Sequence, residues 1–257
     1  MKIGLLTLLV SICFAGFAYK TSAQNKIYAG LNGTLAAPVI INQNNYGQRE
    51  LPYEVFLAAN YGLQVGFETS LNSAIQIELN YTSNGQSYSG SYTGGSLSKD
   101  LRLQYLQIPV WYKFNFRKDT SEIRSGSKFY GAAGLFAGFL LNADMTLLSG
   151  NSETDFYSFS FKDNDNINTA DLNRLLPQGG NPDYNELFNN FDFGVGLALG
   201  VDIYLSPRVK LNVELRGLIG IPDINAEDWQ LPNRANEYGA SRTFNGGLNV
   251  GINFFLN

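Results

Sequence analysis

Polar residues, three of them charged, recur at every second position of a segment in the last quarter of the chain. Between Val209 and Arg216, the residues Lys210, Glu214 and Arg216 alternate with valine and leucine. A period of two is that of a β-strand, so these three side chains share one face. Opposite charges on a shielded face pair with one another or line a path for ions. Polar positions of neighbouring predicted strands extend this candidate polar network, which comprises Glu78, Arg102, Asp192, Asp202, Lys210, Asn212, Glu214 and Arg216.

A loop segment contains weak candidates for metal ligands. "NDNINTADL" resembles the second half of a calcium-binding loop, with Asn164, Asn168 and Asp171 at the ligand offsets. The first half does not fit, because Ser160 and Lys162 stand where oxygen ligands are required. The sequence therefore favours a solvated acidic loop, and we expect no bound metal and no cofactor.

A second loop offers an aromatic contact residue. Trp229 follows Glu227 and Asp228 in the segment "AEDW". An aromatic side chain in an exposed acidic loop is a candidate anchor for an extracellular protein or glycan. The alternative is that Trp229 packs across the mouth of the fold or contacts lipid headgroups.

The composition disfavours catalysis and nucleic-acid binding. The chain has no histidine, which removes the usual general base, and its one cysteine, Cys13, lies in the apolar N-terminal segment. The formal net charge is −4, without a basic patch. We expect a protein that is not an enzyme and that does not bind nucleic acid.

The N-terminal segment is typical of a secretory signal peptide. Lys2 precedes an apolar run, and the small residues Thr21 and Ala23 precede Gln24. We expect cleavage after Ala23, which divides the chain into a signal peptide at 1–23 and one β domain at 24–257. The mature domain has no cysteine and therefore no disulfide.

The stretch from Phe191 to Leu205 alternates without interruption between apolar residues and small or polar residues. A soluble barrel would point the apolar side inward, whereas a membrane barrel points it toward lipid. Similar patterns predict eight strands, at about 26–34, 54–69, 73–83, 100–116, 128–142, 189–205, 208–220 and 242–256. The segment 128–142 is apolar or small on both faces, so its facing stays open. A change of parity predicts a one-residue bulge near Tyr105.

The connections between the predicted strands alternate in length. Those after the second, fourth and sixth strands are short, and the others are long. Transmembrane barrels have short periplasmic turns and long extracellular loops. The sequence thus predicts an all-β fold: a closed antiparallel up-and-down transmembrane β-barrel of about eight strands, with ten as the alternative, and both termini in the periplasm.

Several segments resemble a known family. "YLQIPVWYKFNF", "FYGAAGLFAGFLLNADM", "FDFGVGLALGVDIYLSPRVKLNVELRGLIGI" and "NGGLNVGINFFLN" are similar to the outer-membrane β-barrel domain family common in Bacteroidota. Its members are often labelled porin-family proteins and are similar in architecture to small barrels of the OmpA/OmpX type. The resemblance implies an outer-membrane location, with outer-membrane lipid and the barrel-insertion machinery as partners. It implies no catalytic residues.

The predicted hairpin around "LSPR" sets an expected register. It pairs Asp202 with Lys210 and places small residues opposite long charged ones: Gly200 opposite Asn212, Ala198 opposite Glu214 and Gly196 opposite Arg216. Such a network would fill the lumen of a small barrel. Three functions stay open: a structural barrel or one that binds a partner through its loops, a low-conductance pore for ions or small solutes, and a soluble secreted barrel for an apolar ligand.

Overall fold

Ten antiparallel strands form one sheet in the computed structural model, which describes residues 26–42, 53–92, 95–116, 125–149, 152–154, 187–227, 230 and 238–256. The strands are β1 (Lys26–Ile41), β2 (Tyr53–Glu54), β3 (Ala58–Ser70), β4 (Ser73–Tyr92), β5 (Gly95–Asn115), β6 (Gly126–Ser149), β7 (Ser152–Thr154), β8 (Phe191–Ser206), β9 (Val209–Gly220) and β10 (Arg242–Phe255). Within these described ranges, no helix is long and apolar enough to cross a membrane.

The eight long strands close into a barrel. Each pairs with the next long strand along the chain, and β1 pairs with β10. The short strands β2 and β7 add to the sides of β4 and β6. The predicted closed barrel of eight strands is therefore confirmed. We call the end with the tight β3–β4 and β8–β9 connections the turn end, and the opposite end the loop end.

The register gives the barrel a strong stagger. If one starts at Asp202 on β8 and steps from each residue to its partner on the next strand, all the way around the barrel, one arrives back on β8 at Asp192. Asp192 lies ten residues from the starting point. This path, which we call the amide row, runs through Asn212, Gly251, Asn32, Gly62, Asn80, Gln107 and Gly138. Such stagger requires strands tilted by roughly 35–45° around an interior that side chains can just fill.

The apolar side of the strands faces outward. On β8, Leu197 and Leu199 are 71% and 62% exposed, whereas Asp192 and Ala198 are 1% and 6% exposed. The same alternation holds along β9 and β10. This facing is that of a barrel surrounded by lipid. A soluble barrel with an apolar interior would need the reverse.

The irregularity predicted near Tyr105 exists, but on the neighbouring strand. The β5–β6 register shifts by one residue between Gln104 and Tyr105, and Leu141 of β6 is the residue without a partner in this register. The parity change predicted for β5 is therefore wrong, because β5 alternates through Leu101, Leu103 and Tyr105, all buried. On β6, Tyr130 and Phe136 point inward and Leu135 outward, which settles the faces of this strand.

We predict that Leu199→Arg impairs folding into lipid by about 2–4 kcal/mol if the site lies near the bilayer midplane, because its outward position puts the guanidinium among acyl chains. Leu199→Met, which keeps an apolar side chain of similar size, is the matched control. Urea unfolding in phospholipid vesicles measures both variants. Equal stability of the two would contradict the assigned facing.

Candidate functional site

The lumen is centred on Arg216, which joins two strands on opposite sides of the barrel. Its Nη1 and Nη2 atoms donate to the two carboxylate oxygens of Glu78 at 2.8 and 3.0 Å. Its Nε atom donates to Glu214 at 2.9 Å. All three side chains are at most 5% exposed. The guanidinium fork thus satisfies two buried carboxylates at once.

Neutral donors complete the coordination of both carboxylates. Glu78 accepts hydrogen bonds from the amides of Gln76 and Asn80, each at 2.7 Å. Glu214 accepts one from the Tyr130 hydroxyl at 2.5 Å and one from the Asn249 amide at 3.0 Å. Because buried charges are tolerated when they are paired and hydrogen-bonded, this arrangement is chemically complete.

A second charge cluster lies nearer the turn end. Asp202 accepts hydrogen bonds from Lys210 at 3.1 Å and from Lys113 at 3.4 Å. The Lys210 ammonium also lies 3.9 Å from the Tyr28 ring centre, and that of Lys113 lies 3.8 Å from the Tyr130 ring centre. Tyr130 therefore connects the two clusters, because its hydroxyl binds Glu214. The cluster around Arg216 carries one excess negative charge and the cluster around Asp202 one excess positive charge, so together they are neutral.

Small residues make room for these long side chains, as expected, but in a different register. Gly200 lies opposite Glu214, and Ala198 lies opposite Arg216. A Cβ on Gly200 would come within 2.6 Å of the Glu214 Cβ. The predicted Asp202–Lys210 pairing is wrong by two residues, because the tight turn falls at Pro207 and Arg208 and the register shifts before Ser206. Asp202 pairs with Asn212 instead.

Amide side chains occupy the rest of the polar lumen. The Oδ1 atom of Asn212 accepts hydrogen bonds from Gln64 at 3.2 Å and from Asn253 at 2.9 Å. On the same side of the barrel, Thr34 of β1 donates to Asn249 of β10 at 2.8 Å. These bonds connect four strands, so the network fixes their relative positions.

Two predicted members of the network lie apart from it. Arg102 is wrong as a lumen residue: it lies on the outward parity of β5, where it contacts Asp100 at 3.1 Å and stacks 3.7 Å from the ring centre of Phe56. Asp192 does face the lumen, but near the loop end, where it accepts a hydrogen bond from Thr243 at 2.7 Å. The structure brings the other six predicted residues into the two clusters and the amides around them.

Two chain segments that sequence reasoning missed fold across the loop end. Residues 187–190 and 221–227, which we call the lid, meet in an antiparallel bridge between Phe188 and Asn225. The backbone N–H of Asn189 donates to the backbone carbonyl of Ile224 at 2.7 Å. Their buried side chains pack against the lumen wall at the loop end and form an apolar cluster with it. The cluster comprises Ile40, Leu101, Leu103, Tyr105, Ala143, Leu187, Phe188 and Ile224.

Polar contacts around Asp223 hold the lid in place. One Asp223 oxygen accepts hydrogen bonds from the backbone amides of Asn225 and Ser241, both at 3.1 Å. The other accepts one from the Tyr238 hydroxyl. Burial, together with this hydrogen bond to the carboxylate, raises the pKa of Tyr238 above its usual range. The side-chain amide of Asn189 donates a further hydrogen bond to the backbone carbonyl of Asp223 at 3.0 Å.

The candidate loop sites fall outside the described residues. This holds for Trp229 and for the calcium candidates Asn164, Asn168 and Asp171. Among the residues that the structure does describe, no group of three or more acidic, histidine or cysteine residues is arranged to hold a metal ion.

We predict that Arg216→Met destabilises the folded barrel by about 3–5 kcal/mol, because it leaves Glu78 and Glu214 without their counter-charge. Adding Glu78→Gln and Glu214→Gln to this variant should restore most of the lost stability, since no uncompensated charge remains. Urea unfolding in lipid vesicles measures both, with Arg216→Lys as the control that keeps the charge. A triple variant less stable than Arg216→Met would show that the charges do not act as a unit.

Comparisons with known proteins found several similar solved structures and one matching family. Structural similarity was found to Neisserial surface protein A (NspA; 14% identity, 89% of this chain and 96% of that chain, TM-score 0.43). It extends to OprG from Pseudomonas aeruginosa (11% identity, 91% and 95%, TM-score 0.39) and to Ail from Yersinia pestis (8% identity, 88% and 98%, TM-score 0.37). A search of curated protein sequences found no match. The family described as "Outer membrane protein beta-barrel domain" matches residues 15–226, most of the chain, and the protein therefore belongs to this outer-membrane β-barrel family.

Proposed function

We propose that the protein is a non-enzymatic outer-membrane barrel whose filled body supports extracellular segments that bind an extracellular protein or glycan. The observation that carries this proposal is the closure of the lumen at two levels. Arg216 joins β9 to β4 through Glu78 across the middle of the barrel, and the lid covers the loop end. A barrel closed in this way is a rigid scaffold rather than a wide channel.

The connections favour an orientation with the loop end outside the cell. The described turns at Leu71–Asn72 and Pro207–Arg208 are two residues long, whereas the chain between β7 and β8 is far longer than a connection requires. This asymmetry supports periplasmic termini. The composition of residues 1–23, with Lys2, an apolar run and small residues before Gln24, supports a cleaved signal peptide. Phe254, 49% exposed near the end of β10, is a suitable contact for lipid and for the barrel-insertion machinery. The Bacteroidota lineage stays a prediction of the sequence resemblance.

The chemistry of the lumen supports a non-catalytic role. Three of its four buried carboxylates, those of Glu78, Asp202 and Glu214, are engaged in ion pairs, the fourth, Asp192, accepts a hydrogen bond from Thr243, and the sequence has no histidine. An acid–base catalyst needs a group that can exchange protons with a substrate within reach. These buried pairs offer no such group to solvent.

A low-conductance pore is the second candidate, because buried polar atoms without partners recur along the amide row, which winds around the lumen wall from the turn end toward the loop end. Along the amide row, Asn212, Asn32, Asn80, Gln107 and Asp192 each have a buried side-chain atom without a hydrogen-bond partner among the described residues. Such atoms are usually hydrated. A narrow hydrated path past Arg216 would conduct only if the lid also opened.

We predict that the wild-type protein shows little steady conductance in planar bilayers and that two barriers in series keep it closed. Ile224→Ser, which weakens the lid, should leave conductance low, because the Arg216 cluster still fills the lumen. Combination with Glu78→Gln and Arg216→Met should raise it clearly. Large, stable wild-type channels would instead favour the pore.

We also predict that replacing residues 155–183 with a short glycine–serine linker leaves the barrel foldable but abolishes partner binding, because loops on a rigid scaffold commonly carry binding. Heat-modifiable gel migration measures folding. Adhesion of expressing cells to immobilised extracellular-matrix proteins and to a glycan array measures binding. A scrambled segment of the same length is the control. Failure of the deletion variant to fold would show that the segment belongs to the fold, and binding equal to wild type would exclude it as the contact.

A further inference from the structure

The outer wall of the barrel carries an apolar groove with a volume of about 630 Å³. It crosses β4, β5, β6 and β8, along a row of residues that pair in succession: Ile75, Tyr112, Ala133 and Leu197. All four side chains point outward, toward lipid. The volume lies within the range of about 300–1,000 Å³ that is typical of ligand sites. We call this feature the outer groove.

Small residues create the outer groove. Ala133 is the smallest residue of the paired row, and Gly134 and Gly196, which pair with each other, form the floor beside it. A Cβ on Gly134 or Gly196 would come within 2.7 or 2.6 Å of the Trp111 indole ring. Both glycines are therefore required for the ring to pack where it does, and the indole lies directly behind the floor of the groove.

The protein fills a second depression in the same row with one of its own side chains. Beyond Leu197, the row continues to Gly217 and Gly246. A Cβ on Gly217 would lie 3.6 Å from the Phe244 ring, and one on Gly246 would lie 3.0 Å from it. Phe244 therefore covers these two glycines, whereas the outer groove is open to the lipid that surrounds the barrel.

The outer groove rises from the turn end toward the middle of the barrel. Ile75 lies two residues from the start of β4, and Tyr112 lies three residues from the end of β5. Ala133 lies seven residues from the start of β6, and Leu197 lies nine residues from the end of β8. All four of these strand ends belong to the turn end. An acyl chain of the leaflet at that end also begins at the interface and ends near the bilayer midplane, so the groove and the chain follow the same course.

The size of the outer groove argues against a second copy of the chain as its occupant. Ten residues line it, whereas a stable protein–protein interface takes roughly 20–30 residues from each partner. Two barrel walls are also both convex, so they touch along a narrow strip. An acyl chain is thin and flexible enough to enter a groove of this size.

We propose that the outer groove binds one acyl chain of a phospholipid from the leaflet at the turn end. The chain contacts the Ala133 methyl group and the backbone at the floor, between the side chains of Tyr112 and Leu197. It completes the wall behind Trp111, whose ring centre lies 5.3 Å from the Arg216 guanidinium carbon. The site does not depend on which partner the loops bind or on whether the barrel conducts.

The fluorescence of Trp111 reports whether a chain occupies the groove. The protein has two tryptophans, so Trp229→Phe leaves Trp111 as the only one. Bromine atoms on an acyl chain quench indole fluorescence at short range. In vesicles of phosphatidylcholine with bromines in the middle of the acyl chain, we expect strong quenching of this variant. Fluorescence equal to that in vesicles without bromine would overturn the proposal.

Two further variants in this background locate the effect. Ala133→Leu fills the groove with a side chain and should remove most of the quenching. Ala137→Leu is the matched control, because Ala137 also faces outward on β6 but does not line the groove. It should keep the full quenching. Equal quenching in the two variants would contradict binding in the groove.

Native mass spectrometry measures the binding itself. The wild-type barrel in detergent, titrated with palmitoyl-oleoyl phosphatidylethanolamine, should retain one lipid. Ala133→Leu should bind this lipid about tenfold more weakly, because the apolar contact with the groove is lost. Dimers without lipid would show that a second copy occupies the groove, and a monomer that retains no lipid would also overturn the proposal.

Photo-crosslinking covers the case in which Ala133→Leu does not fold. The wild-type protein is reconstituted with a phosphatidylcholine that carries a diazirine on its acyl chain, and the vesicles are illuminated. Peptide mass spectrometry should find the adducts concentrated on Tyr112, Ala133 and Leu197. Adducts spread evenly over the outward residues of all eight long strands would show that no chain is held in the groove.

Discussion

The ion pair between Arg216 and Glu78 spans the lumen from β9 to β4, and the rest of the interior is arranged around it. Burial of a guanidinium requires acceptors on several sides, because a closed barrel excludes most water from its centre. Glu214 supplies the second acceptor, and Tyr130 then links Glu214 to Lys113, one of the two lysines that contact Asp202. Each buried charge in this series of contacts is tolerated because the neighbouring side chain pairs with it or hydrogen-bonds to it.

This constraint explains the small residues of β8. Strands tilted in an eight-stranded barrel leave a narrow interior, so a long side chain on one strand requires a short one on its neighbour. Gly200 and Ala198 meet this requirement opposite Glu214 and Arg216. We infer that the network contributes more to the choice of register than to net stability, because the Coulombic gain of buried pairs is largely offset by desolvation. A slip by one residue would send the charges of β9 into lipid.

Sequence periodicity predicted the strands and the facing of β8, β9 and β10, because lipid on one side and a polar lumen on the other impose a clean alternation. The same reasoning failed where the residues at odd and at even positions of a strand are both apolar, because the pattern then does not distinguish the two faces. At the start of β5 it did not reveal that Leu101, Leu103 and Tyr105 point inward, and it therefore placed Arg102 inside. Inward leucines at 101 and 103 contradict a simple polar lumen, and only the lid explains them. Contacts between residues so distant in sequence, such as those of Ile224 with the β5 wall, leave no local pattern.

The lumen therefore changes character along its length, from paired charges at the turn end to an apolar cluster beneath the lid. A body closed in this way suits a scaffold for extracellular binding. NMR of the Arg216 side chain in lipid-embedded protein tests the central claim most directly. If the guanidinium is held by Glu78 and Glu214, its Nε–H and Nη–H signals should be resolved, exchange slowly with water and shift in Glu78→Gln. A single averaged signal in fast exchange, as for a solvent-exposed arginine, would contradict the account.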